Sequence, residues 1–142
     1  MTVHGGLLRL STQGDGDIVD LTDGVRRVVQ QSEADRGVVT VFVTGSTAAI
    51  TTMEYEPGGV QDLQEAVERL VPRARPGGGD YAHNTRNHDD NAHAHLRAAM
   101  IGPSETVPII DGRLALGTWQ QLVLLDLDTR PRERTVHVTV LG

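Results

Sequence analysis

Residues 106–141, TVPIIDGRLALGTWQQLVLLDLDTRPRERTVHVTVL, decide the fold class. Asp111-Gly112 separates two short runs, Thr106–Ile110 and Arg113–Leu116. It is a strong hairpin signal, because the tight turn needs positive φ at its central residues. Thr118–Asp126 reads as a long apolar strand, and Thr129–Arg132 as the turn after it. Thr135–Leu141 then alternates, with Val136, Val138 and Val140 on one face and Thr135, His137 and Thr139 on the other. That is the period of a half-buried strand.

Working back toward the N-terminus, helices appear among further strands. Leu7–Ser11 reads as a first strand, Gly14–Gly16 as a turn, and Ile18–Leu21 as a short pairing segment. A helix is expected from Thr22, with Thr22 or Asp23 as its cap, Val25, Val28 and Val29 on its apolar stripe, and Gly37 as its end. The β-branched run Val38–Val43 predicts a buried strand, and Ala48–Glu54 a second. Pro57-Gly58-Gly59 reads as a turn before a helix over Val60–Val71, whose inner stripe is Leu63, Ala66, Val67 and Leu70. Residues 73–90 read as a long loop, and Asn91–Met100 as a short helix capped by Asp89 or Asp90. Helices among hairpin-joined strands predict an α+β fold with a largely antiparallel sheet. The 142 residues fit one domain, 1–142.

Composition narrows the function classes. The net charge of −6 argues against nucleic acid as a partner, because phosphate contacts need a basic surface. No apolar run approaches the roughly 20 residues that cross a bilayer. The first residues lack the basic and apolar regions of a secretion signal, so a cytoplasmic location and no membrane partner are expected. There is no cysteine, so any metal falls to His, Asp, Glu or water.

Four of the six histidines lie between positions 83 and 95, beside Asp89, Asp90 and Asn91. Imidazole is the commonest metal ligand. On a helix Asn91 and His95 share a face, whereas His93 and His95 stand about 200° apart and cannot enter one site. His83 lies in the upstream stretch and can fold back toward the His95 face.

The elements Tyr81-x-His83, Asp90-Asn91-x-x-Ala94-His95 and Gly102-x-Ser104 follow in order. So do Pro108-x-x-Asp111-Gly112-Arg113-Leu114-x-Leu116-Gly117-Thr118-Trp119-Gln120, Asp126-x-Asp128 and Pro131-Arg132. In this order they resemble the YjbQ family, some of whose members are named secondary thiamine-phosphate synthases. The resemblance runs over residues 40–142, and GRLALGTWQQ is its most specific block. It implies an α+β fold with a mostly antiparallel, β-sandwich-like core and packed helices. It also implies a homotrimer and a divalent metal, zinc ahead of magnesium, at the histidines corresponding to His83 and His95.

The activity attached to the family joins a pyrimidine-methyl diphosphate to a thiazole phosphate. A small phosphorylated substrate would then meet Arg113 and Arg132 as phosphate contacts, Trp119 as a stacking surface, and Ser104 and Gln120 as hydrogen-bonding groups. Glu54, Asp90 and Asn91 are the candidate catalytic groups. Metal-dependent hydrolysis of a small phosphorylated or acyl substrate, and a non-enzymatic trimeric metal-binding role, are the competing readings. The sequence departs from the family at Gly45, where many members carry a histidine nine positions before the residue matching Glu54. The open ligand position would then fall to water, His93, a carboxylate such as Glu54, or a neighbouring subunit.

Overall fold

The computed structural model describes residues 1–142 as twelve elements. In order they are β1 (Val3–Thr12), β2 (Asp17–Asp20), α1 (Thr22–Ser32), β3 (Arg36–Val43), β4 (Ala48–Met53) and α2 (Pro57–Leu70). Then come α3 (Ala82–Asn87), α4 (Ala92–Ile101), β5 (Ser104–Ile110), β6 (Arg113–Leu114), β7 (Gln121–Asp126) and β8 (Arg132–Leu141). The strands form two sheets, a larger one in the order β1-β8-β3-β5-β6 and a smaller one in the order β2-β7-β4. Every registered pairing is antiparallel. The α+β class and the sandwich-like core expected from the sequence are both present.

The inner layer lies between the sheets. Val39, Val41 and Val43 of β3 and Val136, Val138 and Val140 of β8 meet Ile50, Leu122 and Leu124 of the smaller sheet. Leu21 and, from α1, Val25, Val28 and Val29 close the side of this layer. The alternate residues of β7, Val123 and Leu125, point the other way and pack with Ala49 against Ala94 and Ala98 of α4. Val60, Leu63 and Val67 of α2 join that second cluster. β7 is thus apolar on both faces because it is covered on both, which is why its sequence is a continuous run rather than an alternation. Each buried Val or Leu contributes about 1.5–3 kcal/mol of transfer free energy.

Several local expectations change. β7 begins at Gln121, and Thr118–Gln120 lie in the turn before it, where the Gly117 N–H donates to Gln120 Oε1 at 3.1 Å. Trp119 therefore does not enter the core; it is 73% exposed. β1 and β8 are each ten residues long because they pair with one another along their full length, which extends both beyond their apolar runs. β6 is only two residues.

Neither Thr22 nor Asp23 caps α1: its N-cap position is Leu21, and the preceding Asp20 accepts through Oδ1 from the Thr22 N–H at 2.9 Å and from the Thr22 hydroxyl at 2.6 Å. Gly37 lies inside β3 rather than ending α1, and a side chain there would collide with the Leu141 carbonyl oxygen, 1.9 Å from an ideal Cβ. Pro57-Gly58-Gly59 is the first turn of α2, capped by the Glu56 carboxylate. Leu70 at its far end is exposed. No helix is long and apolar enough to cross a membrane.

Candidate functional site

The stretch read as a loop contains α3, six residues that carry His83. Tyr81 anchors its start by donating its hydroxyl to the Pro72 carbonyl at 2.6 Å. His88, in the left-handed conformation with φ 51°, ends it. Four residues later α4 begins, and its first free N–H, that of Ala92, donates to Asn84 Oδ1 at 2.9 Å. Asn84 of α3, not Asp89 or Asp90, therefore caps α4.

The same amide governs His83. Asn84 Oδ1 stands 3.3 Å from His83 Nδ1, while Asn84 Nδ2 donates to Asp80 at 2.9 Å. Because Oδ1 already accepts from Ala92, its contact with His83 needs Nδ1 to be the donor. That tautomer leaves Nε2 with a free lone pair, the form in which imidazole binds a metal. His95 comes from the next helix, and the two rings lie 4.6 Å apart between centroids at an interplanar angle of 43°. Two imidazoles on one tetrahedral zinc, with Zn–N near 2.0–2.1 Å, would have centroids about 5 Å apart. The donor set fits a metal held by two imidazoles with other positions open. It does not fit a closed structural zinc, since no group of three or more His, Cys, Asp or Glu is assembled within the chain.

The position of the family histidine, Gly45, is more than a missing side chain. Its φ is 121°, and an ideal Cβ would stand 2.9 Å from Arg134 Nη1. The backbone adopts a conformation that strains any L side chain.

Beside this site lies a buried polar network. Arg134 grips Asp126 with two bonds of 2.8 Å and donates a third, also 2.8 Å, to the Thr47 hydroxyl. Thr47 donates to Asp128 Oδ2 at 2.9 Å, and Arg132 donates to the same oxygen at 2.7 Å. Thr12 donates its hydroxyl to Asp126. Asn91 Nδ2 donates to Asp128 Oδ1 at 3.4 Å, so the start of α4 is tied to the segment after β7. Burial alone would raise the pKa of Asp128, but the bonds from the Thr129 N–H, Thr47, Arg132 and Asn91 outweigh it and hold it at about 2.

The remaining sequence candidates are dispersed. Glu54 is exposed after β4, and Gln120 Nε2 reaches the neighbouring Thr52 hydroxyl at 3.2 Å, which brings the Trp119 turn to the end of that strand. Asp90 is exposed, whereas Asn91 is 7% exposed with its Oδ1 sealed and unpartnered. Ser104 is exposed at the start of β5, next to the end of α4. Arg113 sits at the opposite end of that hairpin, in a separate recess with Arg26 and Gln30 of α1. Arg132 is held by Asp128. His93 is 1% exposed, and burial, followed by the positive charges of Arg97 and Arg73, lowers its pKa.

Sequence reasoning missed Asn84, Arg97 and Arg134. An asparagine eight residues before a helix start gives no capping signal, and two arginines look like surface residues until their partners are known.

A sequence profile described as "UPF0047 protein YjbQ-like" matches residues 7–142. A UPF0047 protein of Methanothermobacter thermautotrophicus is 37% identical over 142 residues, which cover 100% of this chain and 94% of that protein. One of Archaeoglobus fulgidus is 40% identical over 134 residues, covering 94% and 98%. Among solved structures, a YbjQ-like protein of unknown function from Sulfolobus solfataricus superposes with a TM-score of 0.92 at 35% identity, covering 99% of this chain and 98% of the other. A hypothetical protein from Aeropyrum pernix gives 0.87 at 34% identity, covering 97% and 98%.

Proposed function

Because this chain belongs to the UPF0047 YjbQ-like family, we propose that it binds a divalent metal, zinc first, through His83 and His95 and uses it in chemistry on a small substrate. The observation that carries this reading is the approach of the two imidazoles, with the His83 tautomer set by Asn84. When bound, such an ion supplies Lewis acidity, or lowers the pKa of a bound water to about 7. The chain's own part is to hold the two nitrogens: Asn84 orients the His83 ring and accepts from the first N–H of the helix that carries His95. Glu54 and Asp90 are the exposed carboxylates available to carry a proton, while Asn91 acts as a strut through Asp128.

The resemblance names coupling of a pyrimidine-methyl diphosphate to a thiazole phosphate as the reaction. That reaction needs cationic donors around two phosphates and a metal that favours oxygen ligands. Within one chain Arg132 is engaged by Asp128, and Arg113 faces Arg26 rather than the histidines. This dispersal favours the second reading, metal-assisted hydrolysis of a small phosphorylated or acyl substrate. A homotrimer, which the resemblance implies, is part of the proposal. Leu7, Phe42 and Ile110, exposed on the outer face of the larger sheet, offer it apolar area.

Metal analysis of the purified protein with zinc titration tests the site. The expected result is one zinc per chain, lost in His83→Ala and in His95→Ala, and weakened about 10–100-fold in Asn84→Ala. Full zinc stoichiometry in both histidine variants overturns the assignment. Turnover of a phosphomonoester or an ester, set against turnover of the two thiamine precursors, separates hydrolase from synthase. Light scattering on the same samples gives the subunit number.

A further inference from the structure

The first histidine of α4, His93, takes no part in the proposed metal site. Two residues along a helix amount to about 200° of rotation, so His93 leaves α4 on the side away from His95. There it lines a cleft of about 580 Å³ formed by α2, α4 and the connection between β1 and β2. That volume is in the range of small-molecule sites.

The floor of the cleft is apolar: Ile18, Val67, Leu125 and Leu127. In its wall the His93 ring is 1% exposed, and its Nδ1 is sealed with no hydrogen-bond partner. Buried polar atoms are nearly always paired, so an orphan nitrogen in a cavity wall points to a missing partner. A half-turn of the ring about χ2 preserves its shape and exchanges Nδ1 with a carbon. The free nitrogen can thus occupy either edge of the ring without repacking the wall.

The charges lining the cleft balance in number. The lining carries three arginines, Arg69, Arg73 and Arg97, and three carboxylates, Asp15, Glu65 and Glu68. Arg97 pairs with Glu68, and its Nε donates to the Val71 carbonyl at 2.9 Å. Arg73 pairs with Asp15 at 3.1 Å. Gln64 donates to the Gly16 carbonyl at 2.9 Å and joins α2 to the opposite rim. With the signs balanced in number and two pairs formed, the lining carries no excess charge to draw in an anion or a cation. We propose that this cleft is a binding site, separate from the histidine pair, for a net-uncharged small molecule with an apolar body and an amide or hydroxyl group that hydrogen-bonds His93. The proposal stands independently of the metal reading.

Four probes of similar shape test it on the full chain: benzamide, benzyl alcohol, benzoate and benzylamine. Binding is followed through the ring signals of His93 in protein carrying isotope-labelled histidine. The neutral pair is expected to shift the His93 signals saturably, with the charged pair at least about tenfold weaker. His93→Leu is expected to weaken benzamide by about tenfold, read from the signals of the remaining labelled histidines and by calorimetry. Val67→Trp keeps His93 but fills the floor, and is expected to abolish the shift; it serves if the first variant fails to fold. The proposal is overturned if neither neutral probe shifts His93 up to its solubility limit, if a charged probe binds as tightly, or if Val67→Trp leaves binding intact.

Discussion

Two polar clusters lie at the two ends of the Asn91 contact, and they differ in what their hydrogen-bonding groups have left to do. Around Asp126, Asp128 and Arg134 nearly every donor meets an acceptor: both carboxylates receive several bonds, and Arg134 is anchored at three points. The two carboxylates are 0% exposed. Around His83 and His95 the rings are half-buried, one nitrogen is tied by Asn84, and the ring centroids lie 4.6 Å apart. Both clusters include residues of the family-like motif, yet only one has free valence. A saturated buried network stabilises a fold and offers nothing to a ligand; a half-exposed pair with unshared lone pairs does the reverse.

The largest test of this contrast is Arg134→Leu. It leaves Asp126 buried and unpaired, and is expected to lower unfolding free energy by about 3–5 kcal/mol in denaturant melts. A loss below about 1 kcal/mol would show that the network is not the structural half of the comparison.

Acid probes the same cluster through Asp128. Its folded pKa lies below its unfolded value of 3.8, at about 2, so the folded state holds its proton less tightly. The stabilisation is present in full above the unfolded value and is lost as pH falls from there through about 2. The difference corresponds to about 2–3 kcal/mol. Asp128→Asn should flatten stability against pH in that window.

Gly45→Ala comes next, with an expected cost of about 1–2 kcal/mol from the left-handed backbone alone. Gly45→His is expected to show at least that cost, since its Cβ also meets Arg134. An unchanged melt would mean that the loop turns freely and that the missing histidine is a simple vacancy.

The smallest effect is expected at the histidines. His83→Ala and His95→Ala, in metal-free protein, should each change stability by no more than about 0.5 kcal/mol. A large loss there would make the pair structural and erase the contrast.

Much of the sandwich was legible because its signals are local. Val136, Val138 and Val140 alternate, and the β3 run is β-branched, so each fixes its own secondary structure before any partner is known. The His83 and His95 pair was legible for a different reason: helical geometry separates His95 from His93, and only one of them can face an upstream ring. α3 was not legible, because six residues are too few to display a period and its Gly-rich approach reads as loop. Trp119 was assigned to a strand by its neighbours' hydrophobicity, although the hydrogen bond from Gly117 to Gln120 turns the chain there.

The sequence by itself determined the family, the α+β class, the antiparallel pairing and the two imidazoles worth pairing, since all of these follow from periodicity, turn chemistry and ordered motifs. Only the tertiary structure decided that Asp126 and Asp128 are scaffold, that Asn84 caps one helix while orienting a ring on another, and that His93 opens on a different cleft from His95. Those roles depend on which groups are already hydrogen-bonded, and partners such as Thr12 and Asp126, 114 residues apart along the chain, leave no local trace of their meeting.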